Sequence, residues 1–171
     1  QQNIGNPSTP IVNVGDSIIK NQIIATADPI MGANLHAPAD GNVEAIGLFE
    51  TGHPSGLFKS AIILNTPIKS SLVLESHINK KDKASLSWIK QDRELLLEKI
   101  NQAGIVGLGG ATFPTQIKLT AKKIETLIVN AMECEPYITC DDRMLREYSI
   151  EVIEGAQIAA FICGASEIIF A

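Results

Sequence analysis

Short apolar runs separated by turn residues occupy the first third of the chain. The runs cover residues 11–14, 23–25, 43–48 and 62–64, and Gly, Asp, Asn and Pro stand between them. β-branched runs at this spacing are typical of short strands in a small barrel or sandwich. We therefore predict an all-β barrel-sandwich module over residues 1–80.

The apolar spacing changes in the second half of the chain. Leu96, Ile100 and Ala103 recur at helical spacing, which predicts a helix over residues 91–103 that ends at Gly104. The same reasoning predicts a helix over residues 114–123 and another from about 141 to 163, which Asp141 or Asp142 can cap and Gly164 ends. It also predicts a fully buried strand over 126–129 and a further strand over 167–171.

Alternating helices and continuous apolar strands favour an α/β layer with parallel strands over residues 81–171. The predicted fold class is therefore α+β, with two modules. Because two parallel strands offer too little surface for both faces of a sheet to be covered, we expect the α/β layer to be truncated and residues 1–171 to be part of a longer protein.

Charge and hydropathy narrow the possible partners. The 14 basic residues are outnumbered by 19 acidic ones, and no basic run is longer than two residues, so nucleic acid is not an expected partner. The longest uninterrupted apolar run, residues 158–165, is far shorter than the roughly 20 residues that cross a bilayer. We expect no direct membrane span.

The cysteines and histidines do not form a metal motif. Cys134, Cys140 and Cys163 include no CxxC pair, so no zinc or iron–sulfur site is complete in this sequence. Neighbouring carboxylates should raise the thiol pKa of Cys134 and Cys140, for which packing or supporting roles are expected, while Cys163 should lie in the core. The three histidines are scattered, and we expect them at surface or turn positions. We expect Trp88, the one tryptophan, to anchor the connector before the first helix.

A glycine-rich loop is the strongest candidate for chemistry. Gly104, Gly107, Gly109 and Gly110 fall within seven residues, and such a loop can turn its backbone N–H groups toward an anion. A helix beginning at Pro114 would add its N-terminal dipole, and Lys118 lies about one turn further on. The alternative is a tight turn where a helix packs closely on a sheet.

A second polar group follows the predicted strand over residues 126–129. Asn130, Glu133 and Glu135 come at its carboxyl end, where open parallel sheets bind ligands. One amide and two carboxylates could bind hydroxyl groups and the polar edge of a ring. The alternative is a solvated acidic loop.

Both loops carry a family resemblance. The segments GIVGLGGATFPTQIKL and IVNAMECEPYITCDDR resemble the C subunit of Rnf electron-transport complexes, and the likeness extends to LHAPADGNV and PSTPIVNVGDSIIKNQIIA. More distantly, the loops resemble the flavin-binding subunit of respiratory complex I, in which a third loop glycine stands where this chain has Thr112.

The resemblance implies a Rossmann-like domain that binds FMN and receives NADH. The residues expected to contact FMN are Gly107, Gly109, Gly110, Lys118, Asn130 and Glu133, with Phe113 and Glu135 nearer NADH. The family implies a peripheral subunit on the cytoplasmic face of the bacterial inner membrane, which works with other subunits to transfer electrons between NADH and ferredoxin. Its 4Fe-4S clusters would be bound outside residues 1–171.

Two other functions stay open at this point. A cobalamin-reducing flavoprotein shares the glycine-rich loop, and a non-catalytic docking module would use the β module alone. That module is similar to biotinyl and lipoyl carrier domains, but no lysine lies between Ile24 and Leu35 to carry the prosthetic group. We therefore expect it to serve in docking or packing.

Overall fold

A computed structural model describes residues 4–50, 52, 56–67, 86–108, 110–121 and 124–171. The chain divides into two compact units. The first comprises Gln1–Leu72 and Lys99–Gln116, and the second comprises Val73–Glu98 and Ile117–Ala171. The glycine-rich loop therefore belongs to the same unit as the strands of the first third. The boundary predicted between residues 80 and 81 lies outside the described residues.

The described part of the first unit contains two antiparallel sheets. Its strands are β1 (Thr9–Pro10), β2 (Ser17–Ile18), β3 (Ile23–Thr26), β4 (Leu35–His36), β5 (Gly41–Glu50) and β6 (Phe58–Asn65). One sheet has the order β1-β3-β4 and the other β2-β5-β6. The strands predicted over residues 23–25, 43–48 and 62–64 are confirmed.

The strand predicted over residues 11–14 is wrong. The backbone N–H of Asn13 donates to the Asp16 carboxylate at 2.7 Å, and the Asp16 N–H donates to the Asn13 carbonyl at 3.1 Å. This turn, in which Gly15 has φ +95°, uses the backbone groups that a strand would need. The strand therefore lies earlier, at Thr9–Pro10.

The two sheets enclose an apolar core. Its buried members are Val12, Ile18, Ile24, Ala37 and Val43, packed against the partly buried Leu35, Ile46, Ile62 and Leu64. Members come from both sheets, so the sheets are fixed by burial across the core as well as by their own hydrogen bonds. The core holds β4 in place and with it His36.

Helices alternate with parallel strands in the rest of the chain. After a short 3₁₀ helix at Leu86–Lys90 come α1 (Arg93–Gln102), α2 (Thr115–Leu119), β7 (Thr126–Val129), α3 (Cys140–Glu147), α4 (Ser149–Cys163) and β8 (Glu167–Phe170). Strands β7 and β8 pair in parallel, with Thr126 opposite Glu167, and α4 contacts both strands. The parallel strands predicted from the apolar pattern are confirmed.

The second predicted helix is shorter than its pattern suggested. It ends at Leu119 because the N–H and hydroxyl of Thr120 both donate to the Ile117 carbonyl, at 3.3 and 2.6 Å. The Arg93 guanidinium donates to the carbonyls of Leu119 and Ala121 just beyond, at 3.4 and 3.3 Å. A macrodipole sums over aligned peptide units, so a five-residue helix offers an anion far less than the predicted one.

Two further predictions need correction. The helix predicted from about residue 141 to 163 is two helices, which meet at Tyr148. Strand β7 is not fully buried, since Ile128 is 62% exposed. Its other three residues are only partly buried.

The helix ends and the tryptophan behave as predicted. Gly104 follows α1 with φ +63°, and Gly164 follows α4 with φ +77°. Both have the left-handed conformation that glycine adopts without a Cβ penalty. The Trp88 ring packs on Phe161 with 5.9 Å between ring centroids, which anchors the segment before α1. Among the described helices, none combines the length and the apolar character that a membrane crossing requires.

Candidate functional site

The glycine-rich loop is closed at its base by three backbone contacts. Val106 forms an isolated antiparallel bridge with Pro114. The Gly107 N–H donates to the Phe113 carbonyl at 2.8 Å, and the Thr115 N–H donates to the Ile105 carbonyl at 3.0 Å. The loop therefore has a fixed stem and a short tip. Because the Gly107 N–H is used in the stem, this glycine can offer a ligand only close approach of its backbone.

The tip of the loop is exposed and carries several backbone N–H donors. Within the described part of the chain, the N–H groups of Leu108, Gly110 and Ala111 donate to no protein acceptor. A Cβ placed on Gly110 would meet no atom within 4 Å. Gly109 lies outside the described residues. N–H groups without a protein acceptor, on an exposed glycine-rich loop, are suited to binding an anion.

Thr112 is held in a strained backbone conformation at this tip. Its φ of +46° is unusual for a β-branched residue, and its hydroxyl donates to the neighbouring Ala111 carbonyl at 2.8 Å. This is the position where the complex I loop has a glycine. The site therefore uses a conformation that glycine would adopt at lower cost.

We expect Thr112→Gly to stabilise the loop by about 0.5–1 kcal/mol. A left-handed conformation costs an L-residue about 1–2 kcal/mol, and the greater freedom of glycine in the unfolded chain returns part of that gain. Hydrogen exchange of the Gly107 amide, which opens with the stem, measures the change. Thr112→Val keeps the branched Cβ and should show no gain; equal gains in both variants would contradict this account of strain.

The second polar group lies in the loop after β7, in the second unit. The exposed Asn130 accepts a hydrogen bond from the Met132 N–H through Oδ1, at 3.0 Å. Its Nδ2 group donates to no partner in the described part of the chain. The hydrogen bond at Oδ1 therefore orients the side-chain amide, and Nδ2 can donate to a ligand.

Glu133 caps helix α3. Its Oε1 accepts from the N–H groups of Asp141 and Asp142, at 2.8 and 3.2 Å, across the six residues that precede the helix. The prediction that Asp141 or Asp142 caps this helix is therefore wrong. Both belong to its first turn, and the N-cap residue Thr139 makes no side-chain cap. A carboxylate supplied from outside the helix satisfies N–H groups that have no intrahelical partner.

Cys140 forms a hydrogen bond with the other carboxylate oxygen of Glu133. Its Sγ lies 3.4 Å from Glu133 Oε2, and the thiol donates this hydrogen bond. The contact with Glu133 raises the pKa of Cys140, because the carboxylate accepts from the thiol and repels the thiolate. The prediction of a raised pKa is thus confirmed for Cys140. Of the packing or supporting roles expected of Cys134 and Cys140, packing is not found, because both are exposed, but Cys140 supports Glu133 by its hydrogen bond. Cys163 is buried as predicted.

Glu133→Gln is expected to make Cys140 alkylate faster near pH 8. Removing the charge lowers the pKa of Cys140 toward its ordinary value, so more thiolate is present at a pH below that value. The measurement is the iodoacetamide rate against pH in a Cys134→Ser background. Glu135→Gln removes a nearby carboxylate that does not contact the thiol, and its rate should match the background. If Glu133→Gln also matched it, the hydrogen bond would not control the thiol.

Glu133, Cys140 and Asp141 also have the spacing of metal ligands. One ligand atom from each lies within 4.8 Å of the others. However, Glu133 Oε1 already accepts two backbone N–H groups, and the raised pKa keeps the Cys140 thiol protonated. The cluster therefore serves as a hydrogen-bonded helix cap.

The remaining predicted residues are placed as follows. Phe113 is half-buried in the loop stem of the first unit, Lys118 is exposed on α2, and Glu135 is exposed in the loop after β7. Sequence reasoning missed His36, which was expected at the surface or in a turn. It is half-buried on β4, and its Nε2 lies 3.0 Å from the Gln102 carbonyl oxygen. A separation of 66 residues left no local signal for this contact.

Comparison with known proteins matches the two halves to two domain families. Residues 1–68 match the family model described as the RnfC barrel sandwich hybrid domain. Residues 100–171 match the Nuo51 FMN-binding domain. The barrel-sandwich class predicted for the first third is thereby confirmed.

Comparison of the whole chain with individual proteins indicates the same family as the two domain matches. The chain is 38% identical over its full length to the C subunit of the ion-translocating oxidoreductase complex of Actinobacillus succinogenes. It is 37% identical, over 99% of its length, to that of Pasteurella multocida, and 37% identical over its full length to that of Rhodobacter capsulatus. The chain spans 24%, 20% and 32% of these relatives, respectively. Over its whole length, the chain belongs to the family of Rnf complex C subunits, as its two loop motifs predicted.

Proposed function

We propose that this chain is the FMN-binding part of a peripheral subunit in an ion-translocating electron-transport complex. The observation that carries the proposal is the exposed tip of the glycine-rich loop, where the backbone N–H groups of Leu108, Gly110 and Ala111 donate to no acceptor within the described residues. This tip lies within the segment that matches an FMN-binding domain. FMN carries a phosphate dianion, and the backbone N–H groups of a glycine-rich loop are suited to binding such an anion.

The residues fit this ligand in their chemistry. A Cβ on Gly110 would meet no protein atom within 4 Å, so the backbone there is open to the approach of a phosphate. Gly107 and Gly109 would allow close approach of the backbone, and the Lys118 ammonium would add positive charge. In the second unit, the Asn130 Nδ2 group can donate to a carbonyl or hydroxyl. Glu133 keeps acceptor capacity mainly at Oε2, because Oε1 receives two N–H groups.

Bound FMN would supply the exchange between two-electron and one-electron transfer. The protein would hold the phosphate, orient the ring and admit the reductant. We assign Phe113 and Glu135 to the side that receives NADH. An aromatic ring offers a nicotinamide ring a surface for stacking, and a carboxylate can accept hydrogen bonds from ribose hydroxyls.

The wider assignment follows from the family. We propose a barrel-sandwich module at residues 1–80 and a Rossmann-like FMN- and NADH-binding layer at 81–171, with electrons passing between NADH and ferredoxin. The 4Fe-4S clusters would be bound by other parts of the longer subunit, and other subunits of the complex would be its partners. Such a subunit would lie on the cytoplasmic face of the bacterial inner membrane.

Titration of the full-length protein with FMN tests the proposal. Flavin fluorescence should be quenched to saturation at one FMN per chain, and anaerobic NADH should then bleach the flavin absorbance. Lys118→Ala should weaken FMN binding about tenfold, as expected for a lost charge-assisted hydrogen bond. Lys59→Ala removes the same charge from strand β6 and should change nothing. Absence of saturable quenching in the wild-type protein would refute the proposal.

A further inference from the structure

The end of helix α1 is joined to the β strands of the first unit. The Gly104 N–H donates to the Asn101 carbonyl at 2.9 Å, and the Ile105 N–H donates to the Ile100 carbonyl at 3.3 Å. These two bonds form a Schellman motif with Gly104 in the left-handed position. The carbonyl of Gln102, the last residue of α1, lies 3.0 Å from His36 Nε2. Since a carbonyl oxygen only accepts, His36 carries a proton on Nε2 in this contact.

A second contact at the same place leaves no room for a side chain. A Cβ on Gly104 would lie 2.4 Å from the Asn34 carbonyl oxygen and 3.1 Å from His36 Cε1. Asn34 is buried, and its side chain is fixed because Oδ1 accepts the Ala27 N–H at 2.8 Å. Asn34, His36, Gln102 and Gly104 thus form one tight joint within the first unit.

The glycine-rich loop begins directly after this joint. Ile105 and Val106 form the base of its stem, through the Thr115 N–H and the bridge to Pro114. Pro114 is among the most completely buried side chains of the molecule. Only two residues separate Gly104 from Gly107, so the stem offers no flexible hinge between the joint and the tip.

We infer that the β strands of the first unit position the glycine-rich loop, with His36 and Gly104 as positioning residues. For FMN, the inference rests on the proposed function. A loop already ordered before binding loses less conformational entropy when it closes on a ligand, so the joint raises affinity without touching the ligand. The β module therefore has a role in the flavin site as well as any role in docking.

Hydrogen exchange in the full-length protein without flavin tests the joint itself. The reporters are the amides of Gly107 and Thr115, which are protected by the stem. In His36→Leu we expect their exchange to accelerate about fivefold, the effect of one lost hydrogen bond. His36→Gln can place an amide donor near the position of Nε2 and should restore the wild-type rate. Ser17→Ala also removes one side-chain hydrogen bond of the same unit, from the Ser17 hydroxyl to Asn42 Oδ1, and should leave these two amides unchanged.

Flavin titration of the same variants tests the positioning role. FMN affinity should fall about fivefold in His36→Leu and return in His36→Gln. If the Gly107 and Thr115 amides of His36→Leu exchanged at wild-type rates, the joint would not hold the loop. If they exchanged faster while the FMN affinity stayed unchanged, the joint would have no role in FMN binding. If the wild-type protein bound no FMN, the proposed function would fail, while the exchange rates would still decide whether the joint holds the loop.

Discussion

Gly110→Val is expected to lower FMN affinity by at least a hundredfold and to leave the fold intact. A Cβ at this position meets no protein atom within 4 Å, and the backbone there is not left-handed, so valine fits the protein without a clash. The same open space is where we place the phosphate. Two added methyl groups would exclude it from the N–H groups of Leu108, Gly110 and Ala111, and loss of several charge-assisted hydrogen bonds costs about 3 kcal/mol or more.

Gly52 provides the control, because the same substitution there adds the same side chain outside the proposed site. Gly52 also has no atom within 4 Å of a placed Cβ, and it lies at the end of the long β5–β6 hairpin. Gly52→Val should therefore bind FMN as the wild-type protein does. Flavin fluorescence titration measures both variants, and circular dichroism checks that both are folded. Unchanged FMN affinity in Gly110→Val would remove the loop tip from the site.

Gly104→Ala is expected to destabilise the first unit by about 3 kcal/mol. Two effects add at this position. The left-handed φ of +63° costs alanine about 1 kcal/mol. The new methyl group would also lie 2.4 Å from the Asn34 carbonyl oxygen, and relieving this overlap by backbone movement costs about 1–3 kcal/mol.

Gly164→Ala measures the cost of the left-handed conformation alone, so the difference between the two variants gives the cost of the steric overlap. Gly164 ends α4 in the same left-handed conformation, with φ +77°, but a Cβ there meets nothing within 4 Å. Gly164→Ala should therefore cost only about 1 kcal/mol. Native-state hydrogen exchange of amides in each unit gives the two free energies of opening. Equal losses in both variants would show that Asn34 yields to the added methyl group.

Local patterns predicted much of the secondary structure. The spacing of Leu96, Ile100 and Ala103 gave α1 to within two residues, and Gly104 and Gly164 marked the ends of their helices. These predictions succeeded because helix periodicity and left-handed caps depend on neighbours in the sequence. The predictions failed where a side chain competed for the backbone. The Asp16 carboxylate accepts the Asn13 N–H and forms a turn in place of a strand. The Thr120 hydroxyl donates to the Ile117 carbonyl and ends α2.

The candidate site shows the same division. The sequence identified the glycine-rich loop and the Asn130–Glu133 group because both are contiguous and chemically distinctive. It could not assign Glu133 to the N-terminus of α3, since aspartates already stood in the first turn of that helix and satisfied the usual pattern. Nor could it show that the Gly107 N–H serves the loop stem.

By itself, the sequence determined the family, most of the longer strands and helices, and the two loops that we propose to bind the ligand. Only the tertiary structure decided which of those residues already have partners, and that the glycine-rich loop belongs with the β strands. The reason is physical. Periodicity and capping act over a few residues, whereas the contact of His36 with Gln102 and the close approach of Gly104 to Asn34 join segments about 70 residues apart. Such contacts arise from packing of the folded chain and leave no pattern in the local sequence.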